Sequence, residues 1–298
     1  MSESAAKILD RNLSSSESKR GPLFSGLLLS ALVATMYAPV LRFMAQQWWD
    51  DPNYGHALIV PVFVAYILWR EYPRWRSVPI KGNNTGLPIM LLALGLLILG
   101  MLAAELFTTR MSLLILIAGM IVFLAGWQML RSLAFPLGYL IFMIPLPALV
   151  YYQLTFPLQL WASWLGAHGL VMLGVHTVRQ GNLLILPNAT LEVVEACSGV
   201  RSLLSLLAAV VAYGFVTEKK LGIRSLLAVL TVPVVIVSNG LRLVATGVLS
   251  FKFGTQVDSG LIHTMLGLAF YLFAFVSIIL AHRVLGHVLK RRTLIPEN

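Results

Sequence analysis

The stretch 231-TVPVVIVSNGLRLVATG-247 places one arginine, Arg242, inside an apolar run that covers residues 225–249. A charged side chain is costly in the hydrocarbon core of a bilayer, so it needs a partner or a function there. Asn239 precedes Arg242 by three positions, which puts both side chains on the same face of a helix. The stretch therefore predicts a membrane-spanning helix with a polar pocket. An arginine that only extends toward the outer headgroups is the simpler alternative.

The whole chain has the composition of a polytopic membrane protein. Of its 298 residues, 58% are hydrophobic and only 11% are charged, whereas about 25% of the residues in a soluble domain are charged. A net charge of +10 would suggest nucleic acid as the partner of a soluble protein. Here the basic residues lie in short loops between apolar runs, which is a signal of membrane topology, so we expect no nucleic-acid partner. The single cysteine and the lack of a Cys/His cluster predict no metal and no cofactor.

Nine apolar runs are candidates for spans, and the sixth differs from the others because it carries Gln159, His168 and His176. Suppose that the N-terminus is cytoplasmic and that all the runs except the sixth cross the membrane. Most lysines and arginines then fall on the cytoplasmic side, as the positive-inside rule requires. We therefore predict an all-α polytopic membrane protein with about eight transmembrane helices and both termini in the cytoplasm. The run at 155–176 is predicted as an interfacial or re-entrant helix. The nine runs are 23–43, 56–69, 86–104, 111–130, 132–149, 155–176, 199–217, 225–249 and 262–282.

The predicted domain organisation is a single transmembrane domain over 23–285 between two cytoplasmic tails. Residues 1–22 are polar and rich in serine, so we interpret the first apolar run as a retained anchor rather than a cleaved signal. Residues 286–298 form the basic second tail. The segment 181-GNLLILPNATLEVVEA-196 contains two β-prone runs around a Pro-Asn turn, which predicts a short β-hairpin on the outer face near 182–195.

The hairpin leads to 192-EVVEACSGVRSLLSLL-207, which contains the only cysteine of the chain, Cys197. Glu195 lies two residues before the cysteine and Arg201 lies four residues after it. A thiol becomes a thiolate at neutral pH when a positive charge or a helix N-terminus lies nearby. Arg201 could supply that charge or could simply anchor the helix at the membrane surface. Considered alone, such a cysteine is more often a small buried hydrophobe.

The predicted topology places Cys197, Arg242 and His263 at a similar depth, near the outer face, on three consecutive spans. His263 opens the last span in 259-SGLIHTMLG-267, where an ordinary interfacial histidine is the simpler interpretation. Together the three residues have complementary chemistry. A thiolate can attack a carbonyl, an arginine can stabilise the resulting oxyanion, and a histidine can transfer the proton. This combination predicts acyl transfer through a thioester.

These residues resemble the exosortase/archaeosortase family of membrane cysteine transpeptidases. The resemblance lies in the EACSGVRS and SNGLR stretches and in the later His263, and it includes Tyr54-Gly55-His56 and the IPLP stretch at 144–147. It covers roughly 24–285 and is closest to the single-domain bacterial members. The resemblance implies a cysteine peptidase or transpeptidase in which Cys197 is the nucleophile, Arg242 stabilises the oxyanion or thiolate and His263 is the general acid and base. The residues with an implied supporting role are Asn239, Arg201, Glu195 and His56.

The resemblance also implies a substrate class and a location. The partners would be membrane-anchored proteins with a C-terminal sorting signal, consisting of a Pro-Glu-Pro-type motif, a transmembrane helix and a basic tail. Cleavage would occur on the periplasmic side of the bacterial inner membrane, with transfer to a lipid- or glycan-linked acceptor and a link to exopolysaccharide production. Two alternatives from other classes are a membrane transporter and a structural subunit of a polysaccharide export system.

Overall fold

The structure is a computed structural model that describes residues 31–193, 199–254 and 260–292, with side chains as far as residue 287. The described chain is mostly helical and contains one small sheet. It divides into two compact units, Met1–Ile144 and Pro145–Asn298. Each unit is described separately below.

The first unit contains seven helices and two short 3-10 helices among its described residues. The helices α1 to α7 cover 31–50, Ile59–Arg70, Tyr72–Arg76, Gly86–Leu102, Leu106–Ala125, Trp127–Ser132 and Ala134–Tyr139, and the 3-10 helices cover Gly55–Leu58 and Leu140–Met143. The core lies between α1, α4 and α5, where apolar side chains surround the buried Tyr37. The Tyr37 hydroxyl is satisfied by Ser112 at 2.8 Å, so the one polar group that α1 brings into this core has a partner.

The α4–α5 hairpin is held by close backbone approach and by a helix cap. Gly86 lies against the backbone of Phe123, where an added Cβ would be only 2.4 Å from a nitrogen atom. At the other end of the hairpin, the Glu105 carboxylate accepts hydrogen bonds from the backbone N–H groups of Phe107 and Thr108. These two N–H groups of the first turn of α5 would otherwise have no partner.

The second unit contains four helices and a three-stranded antiparallel sheet among its described residues. The helices α8 to α11 cover Ala148–Met172, Val200–Thr217, Leu221–Phe253 and Gly260–Arg292, and the strands β1 to β3 cover Val178–Gln180, Leu183–Ile185 and Thr190–Glu192. The strand order is β1-β2-β3. Alternate residues of the sheet face a core shared with α8 and α10, and they include Leu184, Leu186, Leu191 and Val193. The hairpin predicted near 182–195 is observed as β2 and β3, as far as the chain is described there, and β1 is an additional strand that the sequence did not predict.

Four described helices are long and apolar enough to cross a membrane, namely Leu106–Ala125, Val200–Thr217, Leu221–Phe253 and Gly260–His287. A fifth results if the helices on either side of 144–147 are counted as one broken span. The prediction of about eight spans is therefore supported for four or five of them. The runs at 56–69 and 86–104 form shorter helices. The run at 132–149 breaks up and ends at Pro145 and Pro147, because proline lacks an N–H group and disfavours helix in the residue before it.

Candidate active site

Three helices of the second unit, α9, α10 and α11, carry the described candidate residues of the second half of the chain at one end of a helical bundle. These residues are Arg201, Asn239, Arg242 and His263. The loop between α9 and α10 covers only residues 218–220, so these two helices run in opposite directions. A small cavity is lined by Ser202 at the start of α9, by Arg242 in the second half of α10, and by Gly267 in the first turns of α11. The start of α9, the second half of α10 and the start of α11 therefore meet at the same end of the bundle.

Arg242 and Asn239 are buried one turn apart on α10, with side chains 7% and 6% exposed. Both side chains are therefore surrounded by other protein atoms. This is the setting expected of a polar pocket rather than of an arginine that extends toward the headgroups. The cavity beside them has a volume of about 10 Å³, which is room for roughly one water molecule.

Gly199 brings the chain next to the cysteine into contact with α10. Its φ of +86° is in the left-handed region, which glycine adopts without strain. A Cβ at this position would lie 3.2 Å from the Asn239 side chain, so a larger residue would also crowd the pocket. Cys197 is two residues before Gly199 and, like Glu195, lies outside the described residues. The structure therefore positions the segment that follows the cysteine, directly against Asn239.

His263 and Arg201 lie on the first turns of the two helices that flank α10. His263 is four residues before Gly267, so the two residues share one face of α11. A Cβ at Gly267 would be 3.7 Å from a terminal nitrogen of Arg242, which shows that the guanidinium group extends to this face. Both His263 and Arg201 are partly buried, and neither is without an interaction partner.

Further polar groups of this bundle end were not identified from the sequence. Ser238 donates a hydrogen bond from α10 to the Phe270 carbonyl of α11 at 2.7 Å, and Tyr271 is hydrogen-bonded to Ser205 of α9. Ser202, Ser238 and Tyr271 all line the cavity. The available signal was their spacing, since Ser238 directly precedes Asn239 and Tyr271 follows Gly267 by one turn. Isolated serines and tyrosines are too common in apolar helices for that spacing to identify them.

His56 has its described hydrogen-bond partners within the first unit. It lies in the 3-10 helix before α2 and is hydrogen-bonded to backbone groups of Phe142 and Asn53. These contacts fix the chain entry into α2 against the 3-10 turn Leu140–Met143. They give His56 a local role in packing the YGH segment beside the turn that precedes the IPLP stretch.

A second polar cluster lies at the opposite end of the same bundle. The Tyr213 hydroxyl on α9 is 2.9 Å from Nδ1 of His282 on α11. Nε2 of the same histidine lies 3.5 Å from a carboxylate oxygen of Glu218 in the α9–α10 loop. This cluster ties the end of α9 to α11, so the bundle has polar contacts at both ends and an apolar core between them.

Among the described residues, no group of three or more His, Cys, Asp or Glu side chains could hold a metal ion. The described part of the candidate site offers hydrogen-bond donors and the positive charge of Arg242. Arg242 and Asn239 both line the small cavity with N–H donors, and the Asn239 side chain also lies beside Gly199. Such preorganised donors stabilise a developing negative charge in a site that excludes water.

Comparison with known proteins gives a family for the whole arrangement. No curated protein and no solved structure matches the chain. The model of the transmembrane exosortase family matches residues 48–280, which is more than three quarters of the chain and includes both EACSGVRS and SNGLR. The chain therefore belongs to the transmembrane exosortase family.

Proposed function

We propose that this exosortase is a membrane-embedded cysteine transpeptidase that cleaves a C-terminal sorting signal through a thioester of Cys197. The observation that carries the proposal is the burial of Arg242 one turn from Asn239, which itself packs against Gly199, two residues after the cysteine. A buried arginine in a membrane helix needs a partner or a function. The charge that develops when a thiolate attacks a carbonyl provides one.

The proposed reaction begins when the Cys197 thiolate attacks the scissile carbonyl carbon of the substrate. A sulfur–carbon bond forms, and the carbonyl oxygen becomes an oxyanion that accepts hydrogen bonds from Arg242. The carbon–nitrogen bond then breaks, and the leaving amine takes a proton from His263. The product of this half-reaction is a thioester between Cys197 and the substrate protein.

The second half-reaction releases the protein onto an acceptor. An amine or hydroxyl group of the acceptor, or water, gives its proton to His263 and attacks the thioester carbon. The carbon–sulfur bond breaks, and the Cys197 thiolate is restored. The acceptor is lipid- or glycan-linked in this proposal, and the substrate carries a Pro-Glu-Pro-type motif before its transmembrane helix and basic tail. The reaction occurs on the periplasmic side of the bacterial inner membrane, with a role in exopolysaccharide-associated protein sorting.

The direct test is co-expression with a reporter protein that carries a Pro-Glu-Pro-type sorting signal. The wild-type enzyme should remove the tail and form a thioester-linked intermediate that hydroxylamine releases. Cys197→Ala should abolish both while the protein stays at wild-type level in the membrane, and Cys197→Ser should block thioester formation. Normal processing by Cys197→Ala would reject the proposal in favour of a transporter or a structural subunit.

Arg242→Lys tests whether the positive charge of Arg242 is sufficient or whether the geometry of its N–H donors is also needed. Lysine keeps the charge but loses the planar fork of donors, and removal of one oxyanion donor costs about 10²–10³ in kcat. We expect a loss of this size in the rate of reporter processing. Arg283→Lys is the matched control, because Arg283 is exposed on α11 and does not line the cavity. A wild-type rate for Arg242→Lys would mean that charge alone is sufficient.

A further inference from the structure

A larger cavity lies in the first unit, among α1, α4 and α5, and has no part in the proposed reaction. Its volume is about 270 Å³. Most of its walls are apolar, and the only ionisable side chain among its lining residues is Arg110. The residues that line it are Pro39, Val40, Phe43, Gly100, Met101, Ala104, Leu106, Thr109 and Arg110.

Arg110 is 3% exposed in the first turns of α5. Its Nη2 donates a hydrogen bond to the Gln47 side-chain oxygen at 2.7 Å, and its guanidinium carbon lies 5.7 Å from the centre of the Phe43 ring. Both of these partners are uncharged. The nearby Glu105 carboxylate attracts Arg110 electrostatically, but its oxygens accept hydrogen bonds from the first-turn N–H groups of α5. Within the described ranges, no carboxylate oxygen lies within 4 Å of the Arg110 guanidinium.

The positive charge of Arg110 beside apolar walls favours a ligand that combines an anionic group with a hydrocarbon chain. A guanidinium group binds phosphate with two parallel hydrogen bonds, and Gln47 leaves other N–H donors of Arg110 available. A cavity of about 270 Å³ is larger than the roughly 150 Å³ cavity that holds benzene but smaller than the about 300–1,000 Å³ of most drug-sized ligand pockets. It can hold part of one hydrocarbon chain but not a helix.

We propose that this cavity binds one anionic phospholipid of the bilayer, with its phosphate on Arg110 and one acyl chain between α1, α4 and α5. The lipid phosphate would neutralise a buried charge that is otherwise costly to keep in an apolar setting. The acyl chain would cover the apolar walls that the described helices leave open. This binding site is independent of Cys197 and of the transpeptidase proposal.

Native mass spectrometry of the purified, detergent-solubilised protein tests the proposal. Phosphatidylglycerol and phosphatidylcholine with the same acyl chains are titrated separately. We expect the wild type to retain one phosphatidylglycerol per chain with about tenfold preference over phosphatidylcholine, which corresponds to about 1.4 kcal/mol. Arg110→Gln should lose this preference, and Arg110→Lys should keep part of it. Arg42→Gln is the matched control, because Arg42 is exposed on α1 and does not line the cavity.

A second variant tests the position of the acyl chain. Met101 lines the cavity and is 53% exposed, so Met101→Trp should fill space without disturbing the core. We expect it to weaken retention of phosphatidylglycerol at an unchanged unfolding temperature. Glycerol phosphate, the headgroup without its chains, should not compete at equal concentration. The proposal would be overturned if Arg110→Gln or Met101→Trp retained phosphatidylglycerol as the wild type does, or if Arg42→Gln lost it equally. It would also be overturned if glycerol phosphate competed, or if the wild type retained no lipid.

Discussion

Arg242 is a permanent charge on a helix whose other residues are mostly apolar, and its surroundings explain how it is tolerated. Asn239 lies one turn away on the same helix, and Gly267 leaves room for the guanidinium group on the facing helix. A larger residue at position 267 would occupy the space beside the charge. The pocket therefore depends on the lack of a side chain at Gly267 as well as on the polar groups of Asn239 and Arg242.

A size series at Gly267 tests this dependence. An alanine Cβ would lie 3.7 Å from the Arg242 Nη1 atom, which is an ordinary contact, so Gly267→Ala should process a reporter within about threefold of wild type, a change of less than 1 kcal/mol. Gly267→Leu exceeds a cavity with room for roughly one water molecule, so it should displace the Arg242 guanidinium and reduce the processing rate by at least about tenfold, beyond any change in the amount of protein in the membrane. Gly286→Leu is the matched control, because no atom lies within 4 Å of the added Cβ there. Full activity of Gly267→Leu would show that the cavity is not used.

At the scale of elements, α8 and α10 approach each other through glycines on both helices. An added Cβ at Gly166 or Gly169 of α8 would come within 2.7 Å or 2.4 Å of Leu243 or Val244 of α10. The reverse contact also occurs, since a Cβ at Gly240 would lie 2.7 Å from the Cβ of Leu165. Small residues allow this close packing of apolar helices in a membrane. The packing holds α10, and therefore Arg242, in a fixed position against α8.

Gly240→Ala tests the contribution of this packing to stability. The neighbouring atom is the Cβ of Leu165, which cannot rotate away, so we expect a destabilisation of about 1–3 kcal/mol in a detergent unfolding experiment. Gly222→Ala is the matched control on the same helix. No atom lies within 4 Å of the added Cβ at that position, so this change should be neutral or slightly stabilising. Equal stability of the two variants would contradict the close contact.

Glu218, in the loop between α9 and α10, makes the stability of the bundle depend on pH. The pKa of Glu218 lies below its ordinary value of 4.5, first because the backbone N–H groups of Lys220 and Lys219 donate to its carboxylate, and also because His282 lies nearby. A depressed pKa in the folded state means that the stabilisation is present above pH 4.5 and is lost as the pH falls through the folded-state value.

Glu218→Gln should therefore lower the unfolding temperature at neutral pH and flatten its decrease between about pH 5 and pH 3. The unfolding temperature of the purified protein as a function of pH measures both effects. Glu192→Gln provides the control, since Glu192 is an exposed strand residue. An unchanged acid profile in Glu218→Gln would mean that the contacts with the loop amides and His282 do not contribute to stability.

At the scale of the molecule, the number and direction of membrane crossings are the main open prediction. The α10 helix has 33 residues and is about 50 Å long at 1.5 Å per residue, so it exceeds the hydrocarbon thickness of about 30 Å. Basic residues lie near both ends of the chain and in the α9–α10 loop. The positive-inside rule then predicts that this loop and both termini are cytoplasmic.

Reporter fusions test this topology. Alkaline phosphatase is active only in the periplasm, whereas green fluorescent protein exported in unfolded form is dark there. We expect a fluorescent fusion and an inactive phosphatase fusion after Lys220 and after the last residue. Fusions after Asn188, between β2 and β3, should give the opposite pattern. A fluorescent fusion after Asn188 would place the sheet in the cytoplasm and contradict a periplasmic active site.

Composition and apolar periodicity determined most of the architecture in this protein. A chain with 11% charged residues has too few of them to cover a soluble surface, so a membrane fold follows from the sequence alone. Long helices over the last three apolar runs follow in the same way, because a continuous apolar run satisfies its backbone only as a helix in lipid. The β2–β3 hairpin was also predictable, since two β-prone runs and the Pro-Asn turn between them are local signals. The helix limits within the runs at 56–69 and 132–149 were not predictable, because hydropathy does not register where a helix stops.

Only the tertiary structure decided what surrounds each polar residue. The sequence identified Arg242 and Asn239 because a polar residue in an apolar run is conspicuous. It could not show that Gly199 and Gly267 close around them, because both contacts join residues that are far apart in the chain. The Arg110 cavity was equally invisible, since an arginine at the end of an apolar run looks like a surface anchor. Burial depends on the packing of neighbouring helices, and no single run of sequence contains that information.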